Sequence, residues 1–258
     1  MKMDKTHTIA LVNHKGGSGK TSVSGGLIYS LGELGYKVLG VDGCGQMNLT
    51  RSMGFSKDIN KSLYAVLMYG VDPATCIQEG ETFDFIVSDN ALVSVDLELF
   101  TAIEREWVLA KKMKGIIESN KYDFIIFDTN PTLGMLNFNI MVSSNWILIP
   151  IELSSFGIDG LGNLLDFYQQ VQTVNPQLEV LGAVLNKVDM REGITEDANE
   201  VITEFFGNII TNTQIRVDTR VKKAQWEGIP LPLFSKNSRA SRELEDLARE
   251  VVRRVKDR

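Results

Sequence analysis

The stretch Thr8–Leu31, TIALVNHKGGSGKTSVSGGLIYSL, runs from a short apolar segment through a glycine-rich turn into a helical pattern. Gly16, Gly17 and Gly19 carry no Cβ, so successive backbone N–H groups can point inward at an anion. The N-terminus of the helix that follows adds its partial positive charge. Within the run Gly16–Gly17–Ser18–Gly19–Lys20–Thr21–Ser22, Lys20 is placed to reach β- and γ-phosphates and Thr21 to hold Mg²⁺. A glycine-rich turn without a ligand would need neither the strand before it nor the helix after it. The strict pattern G-x-x-x-x-G-K-[ST] is not met, because His14 stands where its first glycine belongs. A second lysine, Lys15, sits at the mouth of the turn and not in its cradle.

Working outward, short runs rich in Val, Ile and Phe recur along the chain: KVLGVD, FDFIVS, YDFIIFD, WILIPI and LEVLGAVLN. They read as buried strands. Amphipathic segments lie between them, including Ser22–Leu34, Ala102–Ser119 and Gly157–Val174. Alternation of this kind predicts an α/β fold with one doubly wound, mainly parallel sheet and helices on both faces. No linker, repeat or low-complexity stretch interrupts it, so residues 1–258 are expected to form a single domain. Near the end, Leu244, Leu247, Ala248, Val251, Val252 and Val255 share one helical stripe, which predicts a helix packed on the domain with a charged outer face.

The chain has no run of 18 apolar residues, and MKMDKTHT leads into the first strand without a signal-peptide core. Two cysteines make no disulfide framework and point to a reducing cytoplasm. The net charge of −6 weighs against a dedicated nucleic-acid binder. Its distribution weighs the other way. From Arg216 to Arg258 there are 12 Lys/Arg against 7 Asp/Glu, a surplus of five positive charges. Such a segment is either a solvated face or a contact for a polyanion.

The form that the loop does fit, K-G-G-x-G-K-[TS], resembles the deviant Walker A loop of the ParA/MinD family of ATPases, and the resemblance runs through most of the chain. It implies ATP and Mg²⁺ as ligands, and a P-loop NTPase fold. It also implies that Lys15 reaches across a nucleotide-sandwich homodimer to the phosphates held by the other subunit, as an arginine finger does. KYDFIIFDTNPTLGMLN resembles the family's Walker B strand and switch II, with Asp128 as the Mg²⁺ residue; Asn130 and Pro131 stand where two prolines are usual. VLGVDGCGQMNLTRSMGF resembles switch I, usually D-x-D-P-Q-G-N-x-T. Asp42, Gln46, Asn48 and Thr50 fit; Cys44 and Gly45 replace the second Asp and the Pro. Because the family's second Asp assists the attacking water, the resemblance implies ATP binding with slow hydrolysis. Lys15, Lys20 and Asp42 are thus the candidate catalytic residues.

AVLNKVDMREG resembles the strand and loop beside the base, with Asn186 as an adenine contact and Asp189 as either a helper or a turn cap. IRVDTRVKKAQWEGIPLPLFSKNSRAS resembles the adenine-covering loop and following helix, where many relatives carry an Arg that binds DNA without sequence preference. Arg220 matches it, with Lys222 and Lys223 adjacent.

The function implied is a ParA-type partition ATPase, cytoplasmic and nucleoid-associated, with non-specific DNA and a ParB-like centromere-binding protein as partners. A MinD-like membrane ATPase would need bulky apolar residues on the last helix, whereas this one ends VVRRVKDR. An iron–sulfur reductase of the nitrogenase iron-protein type would need a cysteine soon after Asp128. A non-hydrolysing nucleotide-dependent adaptor rests on Cys44 alone. The N-terminal helix-turn-helix extension of larger ParA proteins is not expected, since the first strand starts near residue 7.

Overall fold

Seven parallel strands form one sheet in the order β3-β2-β4-β1-β5-β6-β7, in a computed structural model that describes residues 2–152, 155–189 and 206–258. They are β1 (His7–Leu11), β2 (Val38–Gly43), β3 (Asp84–Ile86), β4 (Phe124–Thr129), β5 (Trp146–Glu152), β6 (Glu179–Val188) and β7 (Ile215–Arg216). The six apolar runs read from the sequence are the first six strands. Helices of eight or more residues among the described ones are α1 (Lys20–Glu33), α2 (Val108–Glu118), α3 (Met135–Val142), α4 (Ser155–Gln172), α5 (Thr219–Glu227) and α6 (Arg239–Lys256).

Side chains alternate across each strand, and here both alternating sets are apolar. Ile9 and Leu11 pack with Val38, Phe124 and Ile126 under α1 and α6, while Ala10 and Val12 pack with Val41, Ile125 and Phe127 under α2 and α3. The sheet is therefore buried on both faces, as a doubly wound parallel sheet must be. All six residues of the C-terminal stripe are buried, each contributing about 1.5–3 kcal/mol. Leu244 seats against Gly26 of α1 so closely that a Cβ there would collide with it.

One helix starts later than its pattern suggests. The segment from Ala102 is irregular up to a 3₁₀ turn at Arg105–Trp107, and α2 begins only at Val108. Glu104 adopts a left-handed φ of 51°, which an α-helix cannot continue through.

Strand register fixes where the site lies. Leu11 and Asp42 both pair with Asp128, so the C-terminal ends of β1, β2 and β4 stand side by side. Ligand sites in open α/β sheets form at this edge.

Candidate functional site

The loop from β1 to α1 is tied down at almost every polar atom. Asn13, buried, donates through Nδ2 to the Pro150 carbonyl (2.6 Å) and accepts the Lys15 N–H on Oδ1 (2.8 Å). Gly17 and Gly19 take φ of 81° and 87°, conformations that side chains resist, and Gly19 hands the chain to α1. Asn186, at the end of β6, donates from Nδ2 to the Ser18 carbonyl (2.7 Å). A Cβ on Gly19 would strike that same amide. The expected base contact thus has its Nδ2 committed to bracing the loop.

Lys20 is buried, and its Nζ donates to the Asn13 carbonyl (2.9 Å). Burial lowers its pKa, and the Asp128 carboxylate opposes that shift. Thr21 Oγ1 donates to Asp128 Oδ2 and Ser24 Oγ to Asp128 Oδ1, both at 2.8 Å. Asp128 is fully buried, and burial raises its pKa. A threonine hydroxyl touching a buried carboxylate is a hard-oxygen donor set that fits Mg²⁺. Among the described residues no cluster of three His, Cys, Asp or Glu would hold a metal alone, so phosphate oxygens and water would have to complete the shell. Ser18 Oγ is buried with no hydrogen-bond partner among the described residues, a donor left over in a phosphate cradle. The residues therefore fit a Mg²⁺-bound nucleotide.

Lys15 occupies different ground. Its Nζ lies 3.5 Å from Glu152 Oε2 at the end of β5, and Lys187 Nζ lies at the same distance from that oxygen. Lys187 has a left-handed φ of 56° and also reaches the Gly17 carbonyl. One carboxylate thus faces two ammonium groups at the mouth of the loop.

Asp42 is fully buried and does not present a free oxygen. Oδ1 accepts the Cys44 N–H (3.0 Å), and Oδ2 accepts the Thr50 N–H (2.8 Å) and hydroxyl (2.7 Å). It shapes the loop after β2. Burial, with Asp128 beside it, raises its pKa to about 7. Cys44 is buried too, and burial pushes its thiol up to about 11, so it is neutral at pH 7. Its carbonyl accepts from Ser88 Oγ (2.7 Å).

The basic candidates stand apart from this cluster. Arg220, Lys222 and Lys223 are exposed on α5, with Arg220 Nη1 3.3 Å from Asp218. That helix nevertheless touches the loop, because Gln225 Nε2 donates to Ser22 Oγ (2.9 Å). The final residues of AVLNKVDMREG, 190–193, lie outside the described residues. Asn13, Ser24, Glu152, Lys187 and Gln225 were not singled out by sequence reasoning. Asn13 alone had a local signal, its place at the strand-to-loop junction.

A family model described as an AAA domain matches residues 6–180 of the chain. The chain is 32% identical over 248 residues to the sporulation initiation inhibitor protein Soj of Bacillus subtilis (strain 168), covering 95% of this chain and 97% of Soj. It is 30% identical over 263 residues to the chromosome partitioning protein ParA of Caulobacter vibrioides (strain NA1000 / CB15N), covering 100% and 98%. Among solved structures, cobyrinic acid a,c-diamide synthase of Mycobacterium smegmatis with bound ATP analog and magnesium superposes with a TM-score of 0.83 at 23% identity, over 97% and 96% of the two chains.

Proposed function

This chain belongs to the ParA/MinD family of P-loop ATPases, and on that premise we propose that it is a partition ATPase. In this reading ATP drives a sandwich dimer that binds DNA without sequence preference and is stimulated by a ParB-like protein. The observation that carries it is the division between the loop's two lysines. Lys20 is buried on the Asn13 carbonyl inside the cradle, while Lys15 is held outward on Glu152. Only Lys20 is placed for the phosphates of its own subunit. Lys15 is free of that task and available to those of a neighbour.

Thr21 and Asp128 would hold Mg²⁺, which supplies charge to offset that of the phosphates. Lys20 and the backbone of Gly16–Thr21, with the Ser18 and Ser22 hydroxyls, would orient the triphosphate. Asn186 would carry the base on the atoms it does not spend on Ser18. Among the described residues no helix is long and apolar enough to cross a membrane. The apolar stripe of α6 is spent against α1, so it is not available to a bilayer.

The site of DNA contact is proposed at Arg220, Lys222 and Lys223 with help from the outer face of α6. Gln225, linking that helix to Ser22, supports coupling between nucleotide and DNA. The test is DNA binding by the full chain with ATP or ADP across a salt series. We expect binding with ATP only, log K falling by about 0.9 per phosphate contact, and Arg220→Ala making the slope shallower by roughly one. Strong binding without ATP, or preference for one sequence, would contradict the reading. A second reading, an adaptor that binds ATP without turnover, is favoured by the neutral buried thiol of Cys44. Absence of hydrolysis with the partner present would select it.

A further inference from the structure

The segment after β3 carries two apolar faces where a surface helix needs one. Leu92, Val95 and Leu99 are buried. Val93, Leu97 and Phe100 repeat at i, i+4 and i+7, so they share the opposite face, and Ile103 follows in the next turn. These four are 74%, 77%, 61% and 91% exposed. A contiguous stripe of this kind is costly in water and marks an interaction surface.

Its position ties it to both switch loops. Val93 packs on the loop after β2, where a Cβ on Gly45 would lie 2.7 Å from the Val93 nitrogen. Asp96 Oδ1 accepts the Leu136 N–H (2.7 Å) at the start of α3, just past the loop after β4. Anything that docks on the stripe therefore bears on the loops that flank the phosphate site.

Charge selects the occupant. Between Asp89 and Trp107 there are five carboxylates and one basic residue, Arg105. Arg105 is spent on Glu106, with its guanidinium 4.5 Å over the Phe100 ring, and Lys111 is spent on Glu104. Among the described residues Asp96 and Glu98 have no cation at ion-pair distance, their contacts being the Leu136 N–H, the Tyr64 hydroxyl and Ser94 Oγ. A second copy docking symmetrically would set these carboxylates against themselves, which is repulsive. We propose that Val93, Leu97, Phe100 and Ile103 form the docking surface for a basic amphipathic helix of a partner protein, through which the partner acts on the two switch loops. The effect on hydrolysis rests on the ATPase reading; the docking does not.

The test uses the full chain and two fluorescent synthetic amphipathic helices, one of leucine and lysine, the other of leucine and glutamate. Leu97→Ser/Phe100→Ser removes apolar surface at exposed positions and leaves the fold's core untouched. The parent should bind the lysine helix about tenfold or more tightly than the double variant does, and should bind the glutamate helix weakly. In the parent, but not in the variant, the lysine helix should change ATP turnover. Equal binding by parent and variant, or equal binding of the two helices, would overturn the proposal. So would a variant whose sedimentation shows a lost self-association with peptide binding unchanged, since the occupant would then be a second copy. If the parent has no ATPase activity but peptide binding follows the pattern above, the ATPase reading fails and the docking surface stands.

Discussion

The floor and the mouth of the phosphate loop hold the same residue type in opposite circumstances. On the floor, Lys20 is buried, fixed on a carbonyl, and electrostatically tied to Asp128. At the mouth, Lys15 shares the Glu152 carboxylate with Lys187 and keeps 23% of its side chain exposed. A buried cation is anchored at a cost that its ligand must offset, so it serves one subunit's ligand. A half-exposed ion pair holds its charge by about 0–1 kcal/mol, which a neighbour's phosphates can readily outbid. Binding and turnover can therefore be broken separately.

The largest expected effect is on the floor. Lys20→Ala should weaken ATP binding by about 2–5 kcal/mol, roughly 30-fold to several thousand-fold, measured by fluorescent nucleotide titration. Parent-like affinity would remove the loop from the binding site.

The next lies beside the mouth, in the loop that Asp42 pins. Position 44 offers a neutral buried thiol where a carboxylate could orient water. Cys44→Asp should raise single-turnover hydrolysis by tenfold to 10⁴-fold, on the order of general-base contributions, or about 1.4–5.5 kcal/mol. Nucleotide affinity should stay within a few-fold. Unchanged hydrolysis would mean that another group, on the chain or on its partner, positions the water.

A smaller effect concerns Asp42. Its folded pKa, raised to about 7, exceeds the ordinary carboxylate value of about 3.9. The stability it contributes is present below that ordinary value and is lost as pH rises through 7. In nucleotide-free protein, Tm should fall between pH 6 and pH 8 more steeply for the parent than for Asp42→Asn, whose amide does not titrate. His7, whose pKa burial lowers, acts with the opposite sign in both proteins and cancels in the comparison. Parallel pH profiles would show that Asp42 keeps an ordinary pKa.

The contrast between floor and mouth also marks what could be read from the chain. β1, the loop and α1 are contiguous, so glycine spacing and apolar runs carry them, as they carry β2 to β6. β7 is two residues long, Ile215–Arg216, and exists only because β6 offers an edge, so no local pattern announces it. Ser24 is an ordinary helical serine until Asp128, 104 residues on, is brought to it. Glu152 and Lys187 meet Lys15 and Gly17 across similar gaps. Asn186 had the residue type of a base contact, yet the fold turns its amide onto Ser18. Residue type and spacing identify a cradle; which side chains brace it is decided by strand order.

The division of labour between the lysines is tested most directly by sedimentation of the parent and Lys15→Ala with ADP and with ATP, alongside turnover. ADP should bind both proteins as monomers with affinities within a few-fold, since Lys15 lies outside the cradle. ATP should convert the parent to a dimer, whereas Lys15→Ala should stay monomeric or form a dimer that does not hydrolyse. A Lys15→Ala protein that dimerises and turns over ATP like the parent would contradict a trans role for Lys15 and leave it a solvated loop lysine.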